Sequence, residues 1–350
     1  MSQEQAENIS QEEALRRLSF LTQDYLPEAK WTLGGAFRFD TSLQTIIPFL
    51  STQVGVRTVN NVAGVPPCLW SLDYFVQRRP LNFTAYCTAL ETYAQMHIGV
   101  ILVFDNPYID DTALEDGYGA MLVRELYNRD RVRKNAVCVA SDKLAAKLRE
   151  ICPHLPIHCH YNRLVAEMGR RTPALYNQLA EQYNRVCLHP ADAAKPAVYG
   201  ALNTPQQFDI VMNDPSLRTS ATRRDLLRLL AEMRREPYNA TLMGLRANLI
   251  DRDGEQKLAE ATAGPKASCN LTKNEARALY AAGFRSFVFQ SQQFRNEMTL
   301  LWDVLRGMFD HAPDICNKSA LIASSAMAEF GKPKEEMPSG LRRFSFSNYE

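Results

Sequence analysis

Phe208–Arg224 reads FDIVMNDPSLRTSATRR. Phe208–Met212 has the make-up of a short buried strand, Asn213-Asp214-Pro215 is a polar break, and Thr219 onward opens a basic helix. Strand, polar turn, helix is one β/α unit. Working outward, the same beat recurs. Candidate strands are Trp31–Phe37, Arg57–Val62, Gly99–Phe104, Ala136–Ala140, Pro156–His160, Arg185–Leu188, Phe208–Met212 and Arg285–Phe289. Helical spacing fills most of the gaps, at Asn82–Met96, Thr112–Tyr127, Asp142–Cys152, Ala174–Tyr183, Thr219–Arg235 and Lys273–Ala282. Short apolar strands alternating with helices predict a parallel sheet, and eight strands are the number that closes a (β/α)₈ barrel. An open doubly wound sheet is the alternative, but no GxGxxG follows the first strand. The expected fold is an α/β, TIM-like barrel over 31–310, with an N-terminal helical flank (1–30) and a C-terminal helix and polar tail (311–350).

Composition is consistent with one large core. The chain has 350 residues, 40 basic and 39 acidic side chains and a formal net charge of +1, so no bulk field draws it to nucleic acid or an acidic membrane. No apolar run is long enough to span a bilayer, and the start MSQEQAENIS has no signal-peptide pattern. The eight cysteines are scattered without a CxxC pair. Cys138, Cys159 and Cys187 fall inside strands as reduced thiols, and the expected compartment is cytoplasmic.

A barrel gathers reactive groups just past the C-terminal ends of its strands. That rule collects Asn60, Asn61, Asp105, Asn106, Ser141, Asp142, the stretch His160–Arg163, His189, Asp192, Asn213, Asp214 and the stretch Gln290–Arg295. Asp142, Asp192 and Thr219 are also placed to cap the helices that follow. In His158-Cys159-His160, alternation puts both histidines on one face. They read as hydrogen-bonded layer residues; the alternative is a metal site completed by His189 and Asp214. Arg224, Arg228 and Arg235 form a stripe on one helix, read as a solvated face rather than an RNA surface because Asp225, Glu232 and Glu236 are interspersed.

The order and spacing of several segments resemble the collagenase-like (U-32) peptidases. Gly64-Val65-Pro66 with Trp70 is similar to that family's G-x-P…W loop, Phe104–Asn106 to its F-x-N strand end, and Asp116 with Tyr118 to its D-x-Y. Val139–Leu144 resembles its fourth strand and turn, Asn213-Asp214-Pro215 with Arg223 its N-[DE]-x-C-x-x-x-C-x-x-R segment, and Tyr280–Phe289 its last strand unit. The resemblance implies a TIM-like barrel, and either peptide hydrolysis or oxygen-independent hydroxylation with an iron–sulfur cluster held by four cysteines. The sequence departs from that pattern. Ser216 and Ser220 stand where two of those cysteines would be, so no cluster is expected. Ser71-Leu72-Asp73-Tyr74 replace the asparagine, glycines and arginine after the loop tryptophan, and Val288 and Gln290 replace a lysine and an acid.

Two functional expectations follow. The first is an enzyme without an iron–sulfur centre acting on a small polar or peptide-like substrate. In it, Asn213 and Asp214 orient or activate the reacting group and His160 or His189 serves as general acid/base. Arg163 and Arg295 hold an anionic group, and Trp70, Asn106, Asp142 and Gln290 line the site. The second is a catalytically silent barrel that binds a protein partner through the Trp70 loop and the C-terminal tail.

Overall fold

The computed structural model describes residues 26–54, 59–71, 81–164, 171–213, 271–290, 304 and 307–309. Eight strands close into a barrel in sequence order, every neighbour parallel and β8 returning to β1. They are β1 (Lys30–Gly34), β2 (Val59–Gly64), β3 (Gly99–Phe104), β4 (Ala136–Val139), β5 (Ile157–Cys159), β6 (Arg185–Leu188), β7 (Phe208–Val211) and β8 (Ser286–Phe289). The described helices are α1 (Asp40–Val54), α2 (Phe83–Gln95), α3 (Asp111–Leu114), α4 (Gly117–Asn128), α5 (Asp142–Ile151), α6 (Pro173–Gln182), α7 (Pro190–Ala193), α8 (Pro196–Tyr199) and α9 (Lys273–Ala281). No helix among the described residues is long and apolar enough to cross a membrane.

Side-chain alternation sorts each strand between two cores. Outward residues such as Trp31, Val100, Leu102, Val137, Ile157, Leu188, Phe208 and Phe287 join the cluster shared with the helices. Inward residues Ala63, Ile101, Ala136, Cys138, Cys187 and Val211 form a separate cluster in the lumen. The outer layer is heavily aromatic: the Trp31 ring lies 5.2 Å from Phe287 and 5.6 Å from Phe289. Each such fully buried side chain contributes roughly 1.5–3 kcal/mol of transfer free energy, and truncating one leaves a cavity that the strands cannot collapse to fill.

Local chemistry sets the helix boundaries. Asn82 accepts from the N–H groups of Thr84 and Ala85 and starts α2. Thr272 and Glu275 form a reciprocal capping box on α9. The expected helix over 112–127 is two helices: the first ends at its C-cap Glu115, and Asp116 caps the next through the N–H groups of Tyr118 and Gly119. Helix α1 carries Pro48 in its interior, which breaks the helical pattern of the sequence and hides the element there.

Two expected caps are corrected. Ser141 caps α5 through the N–H of Leu144, and Asp142 is the first helical residue. His189 caps α7, while Asp192 lies inside that helix, accepting from Arg171 Nε at 2.6 Å, Tyr176 Oη at 2.9 Å and Lys195 Nζ at 3.0 Å. The N-terminal flank, the helix expected over 219–235 with its cap Thr219, and the C-terminal helix and tail lie outside the described residues.

Candidate active site at the barrel mouth

The polar groups nearest the mouth come from β5, β6, β7 and β8. His160 follows β5; its N–H pairs with the Val139 carbonyl at 2.7 Å, and its Nδ1 accepts from the Asn162 N–H at 3.2 Å. His189 follows β6; its N–H donates to Tyr176 Oη at 3.2 Å, and its Nδ1 accepts from the Ala191 N–H at 3.1 Å. Both imidazoles are therefore held the same way. An Nδ1 that accepts a backbone N–H carries no proton, so the neutral ring has its hydrogen on Nε2. Tyr161 stands between them, with ring centroids 4.3 Å from His160 and 5.8 Å, edge-on, from His189. Its hydroxyl donates to Gln290 Oε1 at 3.1 Å.

Asn213 is buried and joins the ends of β7 and β8. Its Oδ1 accepts from the Gln290 N–H at 2.8 Å and its Nδ2 donates to the Gln290 carbonyl at 2.9 Å. Asn106 does similar work after β3: Oδ1 accepts from the Tyr108 N–H at 3.0 Å and Nδ2 donates to the Leu69 carbonyl at 3.4 Å. Trp70 is fully buried, donates Nε1–H to the Ala113 carbonyl at 2.7 Å and meets Phe104 edge-on. Gly119 makes room for it, since a Cβ there would sit 2.7 Å from the indole. Asp142 lies at the rim, accepting from Tyr183 Oη at 2.7 Å and Arg163 Nε at 2.9 Å.

The structure thus brings His160, His189, Asn213 and Gln290 to one mouth. It places Trp70 and Asn106 in the packing beneath the loops, and Asp142 with Arg163 on the rim. Asp214 and Arg295 lie outside the described residues. Asn60 and Asn61 are not past a strand end at all: β2 continues through Val62-Ala63-Gly64, and Asn61 donates to the Lys134 carbonyl, just before β4 begins.

Below the mouth is a polar layer that the strand-end rule does not collect. Asp209, on β7, accepts from Arg185 Nε at 2.7 Å and lies 3.8 Å from His158 Nδ1. Burial alone would raise the Asp209 pKa. The Arg185 charge and the bonds from Ser286 and Arg185 outweigh that and hold it below the ordinary carboxylate value. Burial lowers His158 from 6.5 to about 4 against the opposing pull of Asp209, so its ring is uncharged at neutral pH. The sequence signals for this layer are His158, on the same face as His160, and Asp209, a charge inside an otherwise apolar strand. Between the layers lies a cavity of about 40 Å³ whose wall is mostly apolar, with Ala63, Ile101, Val103 and Phe289, and whose polar and sulfur groups come from Thr32, Cys138, His158, His160, Cys187, Asp209 and Gln290; it has room for a few water molecules.

His158 and His160 share the inward face, as alternation requires. Among the described residues, no three His, Cys, Asp or Glu side chains converge as a set of metal ligands. The iron–sulfur cluster implied by the resemblance does not fit the donor set either, because Ser216 and Ser220 offer neutral hydroxyls in place of two thiolates. Compared with known proteins, the chain matches no family model and no curated protein.

Proposed function

We propose that this barrel is a cytoplasmic enzyme of hydrolase type. It would take a small polar or peptide-like substrate at its C-terminal mouth and use no iron–sulfur cluster. One observation carries the reading: two imidazoles at adjoining strand ends, each with Nδ1 fixed by the backbone N–H two residues on, flank a single tyrosine above a small, largely apolar cavity. With the proton on Nε2, a neutral imidazole is a hydrogen-bond donor. His160 and His189 then act as neutral hydrogen-bond donors, stabilising an oxygen that gains negative charge in the transition state. Working as a base would first require moving the proton to Nδ1 and giving up the backbone bond, so the base role falls to Asp214. Asn213 and Tyr161 position Gln290, and Arg163 with Arg295 receives an anionic group of the substrate.

A second reading has its own support. Both polar groups of the Asn213 carboxamide are occupied by the Gln290 backbone, as expected of a latch in a catalytically silent barrel that serves as a binding module.

Turnover of quenched peptides and small amides or esters separates the two. The enzyme reading expects hydrolysis that falls about a hundredfold or more in His160→Ala and His189→Ala, with circular dichroism unchanged. No turnover, together with imidazole NMR signals that no substrate class shifts, would leave the silent barrel.

A further inference from the structure

The lumen holds a second chemically distinct pair that the mouth does not use. Cys138 on β4 and Cys187 on β6 point inward with Sγ atoms 3.9 Å apart, one thiol within hydrogen-bond reach of the other. Both are buried, and both border the cavity that runs up to His160 and Gln290. We propose that Cys138 and Cys187 form a two-coordinate site for a soft monovalent cation of the copper(I) class.

Three observations lead there. The first is distance. Sulfurs that share a near-linear ion through metal–thiolate bonds of roughly 2.3 Å lie about 4.6 Å apart, so the pair at 3.9 Å reaches that geometry by a side-chain opening of about 0.7 Å. The second is the number of donors. A structural zinc ion takes four ligands, and no third donor joins such a set among the described residues. Soft thiolates favour copper(I), which is content with two. The third is that the pair resists the competing reaction, oxidation to a disulfide. Strand β5 lies between the two, with Cys138 opposite His158 and His158 opposite Arg185, two residues before Cys187. Two strand spacings and the two-residue offset along the strand hold the Cα atoms beyond the 7 Å or so that a disulfide can bridge. An ion between the sulfurs spans the gap without moving β5.

Binding forms two metal–thiolate bonds, both thiol protons leave to solvent and no electron moves, so occupancy rises with pH. The site is independent of whether the mouth is catalytic.

The test uses the reduced full-length protein without oxygen, titrated with copper(I) buffered by bicinchoninate. One ion per chain should be withdrawn from the chelator. X-ray absorption of that complex should show a two-sulfur shell, a result that needs no variant. Cys138→Ala and Cys187→Ala should each weaken binding a hundredfold or more, while Cys159→Ala, whose thiol joins the outward-facing core, should leave it unchanged. Stoichiometric binding by the Cys138→Ala/Cys187→Ala double variant would overturn the proposal. So would a three- or four-sulfur shell, a wild type that cannot compete with the chelator, or a Cys138–Cys187 cross-linked peptide after diamide treatment.

Discussion

The barrel carries an arginine–aspartate pair at each end of the lumen. At the lower end, Arg185 Nε meets Asp209 Oδ1 at 2.7 Å; at the rim, Arg163 Nε meets Asp142 Oδ2 at 2.9 Å. The geometry is nearly the same, but the setting is not. The Asp209 side chain is 7% exposed and the Asp142 side chain 55%. Water screens the Asp142 carboxylate and can replace its partner, whereas the Asp209 carboxylate is bonded by Arg185 and Ser286 and lies beside the His158 ring, with the Arg185 end of that pair 28% exposed. The difference shows where this fold tolerates change. Charge in the lower lumen is a fixed structural element, and charge at the rim is exchangeable, which is what a mouth that admits a substrate requires.

The comparison breaks most visibly at Asp209. Asp209→Ala leaves the Arg185 guanidinium with the Phe208 carbonyl and partial access to water, so the cost is about 3 kcal/mol, the low end for breaking a buried pair. Urea unfolding should show that loss, with the slope unchanged. Replacing both partners with leucine should recover a large part of it, since a well-packed apolar pair of similar volume has no charge to desolvate. If the single variant costs under about 1 kcal/mol, the lower pair is no more structural than the upper one.

Acid should unlock the same end. The folded pKa of His158, about 4, lies below the ordinary 6.5. The neutral ring is favoured on folding, so its contribution is present above pH 6.5 and is lost as pH falls from 6.5 towards 4. Between pH 7 and pH 5 this amounts to about 2 kcal/mol. Asp209, also lowered, loses its share only below the ordinary carboxylate range, in the same direction. His158→Gln should flatten the urea midpoint across pH 7 to 5; an unchanged slope would mean that other groups carry the acid sensitivity.

The Asn213 latch is intermediate. Asn213→Ala leaves the Gln290 N–H and carbonyl without their partner at the seam of β7 and β8, at a cost of about 1–3 kcal/mol. Asn213→Asp keeps the acceptor and loses the donor, so it should fall between. Hydrogen exchange at the Gln290 amide reads both; equal protection in wild type and Asn213→Ala would remove the latch.

The fold was legible because each strand is a short apolar run and each run is bounded by a turn. That His158 and His160 share a face was legible too, since alternation needs no tertiary information; that the face is the inward one follows only from the closed barrel. What stayed hidden depends on contacts between distant residues. Asp209 sits within the most telling stretch of the sequence, but its partners Arg185 and Ser286 are 24 and 77 positions away. The segments around Trp70, Asn106 and Asp116 showed a recognisable order. Their bonding explains why they belong together: Asp116 accepts the Leu69 N–H, Asn106 donates to the Leu69 carbonyl, and Trp70 donates to the Ala113 carbonyl. Spacing reveals that such residues form a set and cannot say whether the set holds a loop or a ligand. The caps were missed by one residue at Ser141, where two adjacent acceptors compete for the same N–H groups.

The smallest effect is expected at the rim. Asp142→Asn keeps an oxygen for the Tyr183 hydroxyl and removes only the charge facing Arg163. An exposed pair of this kind contributes about 0–1 kcal/mol, and the difference from wild type should vanish at molar salt. Stability is therefore the less informative readout; ligand binding is the sharper one. If Arg163 receives an anionic substrate group, Asp142 competes with that group for the same guanidinium, and neutralising it should tighten binding of an anionic ligand while leaving a neutral analogue unaffected. Weaker anion binding in Asp142→Asn would instead mean that the carboxylate positions the arginine for its ligand. A loss of stability as large as that of Asp209→Ala would show that exposure does not separate the two ends of the barrel.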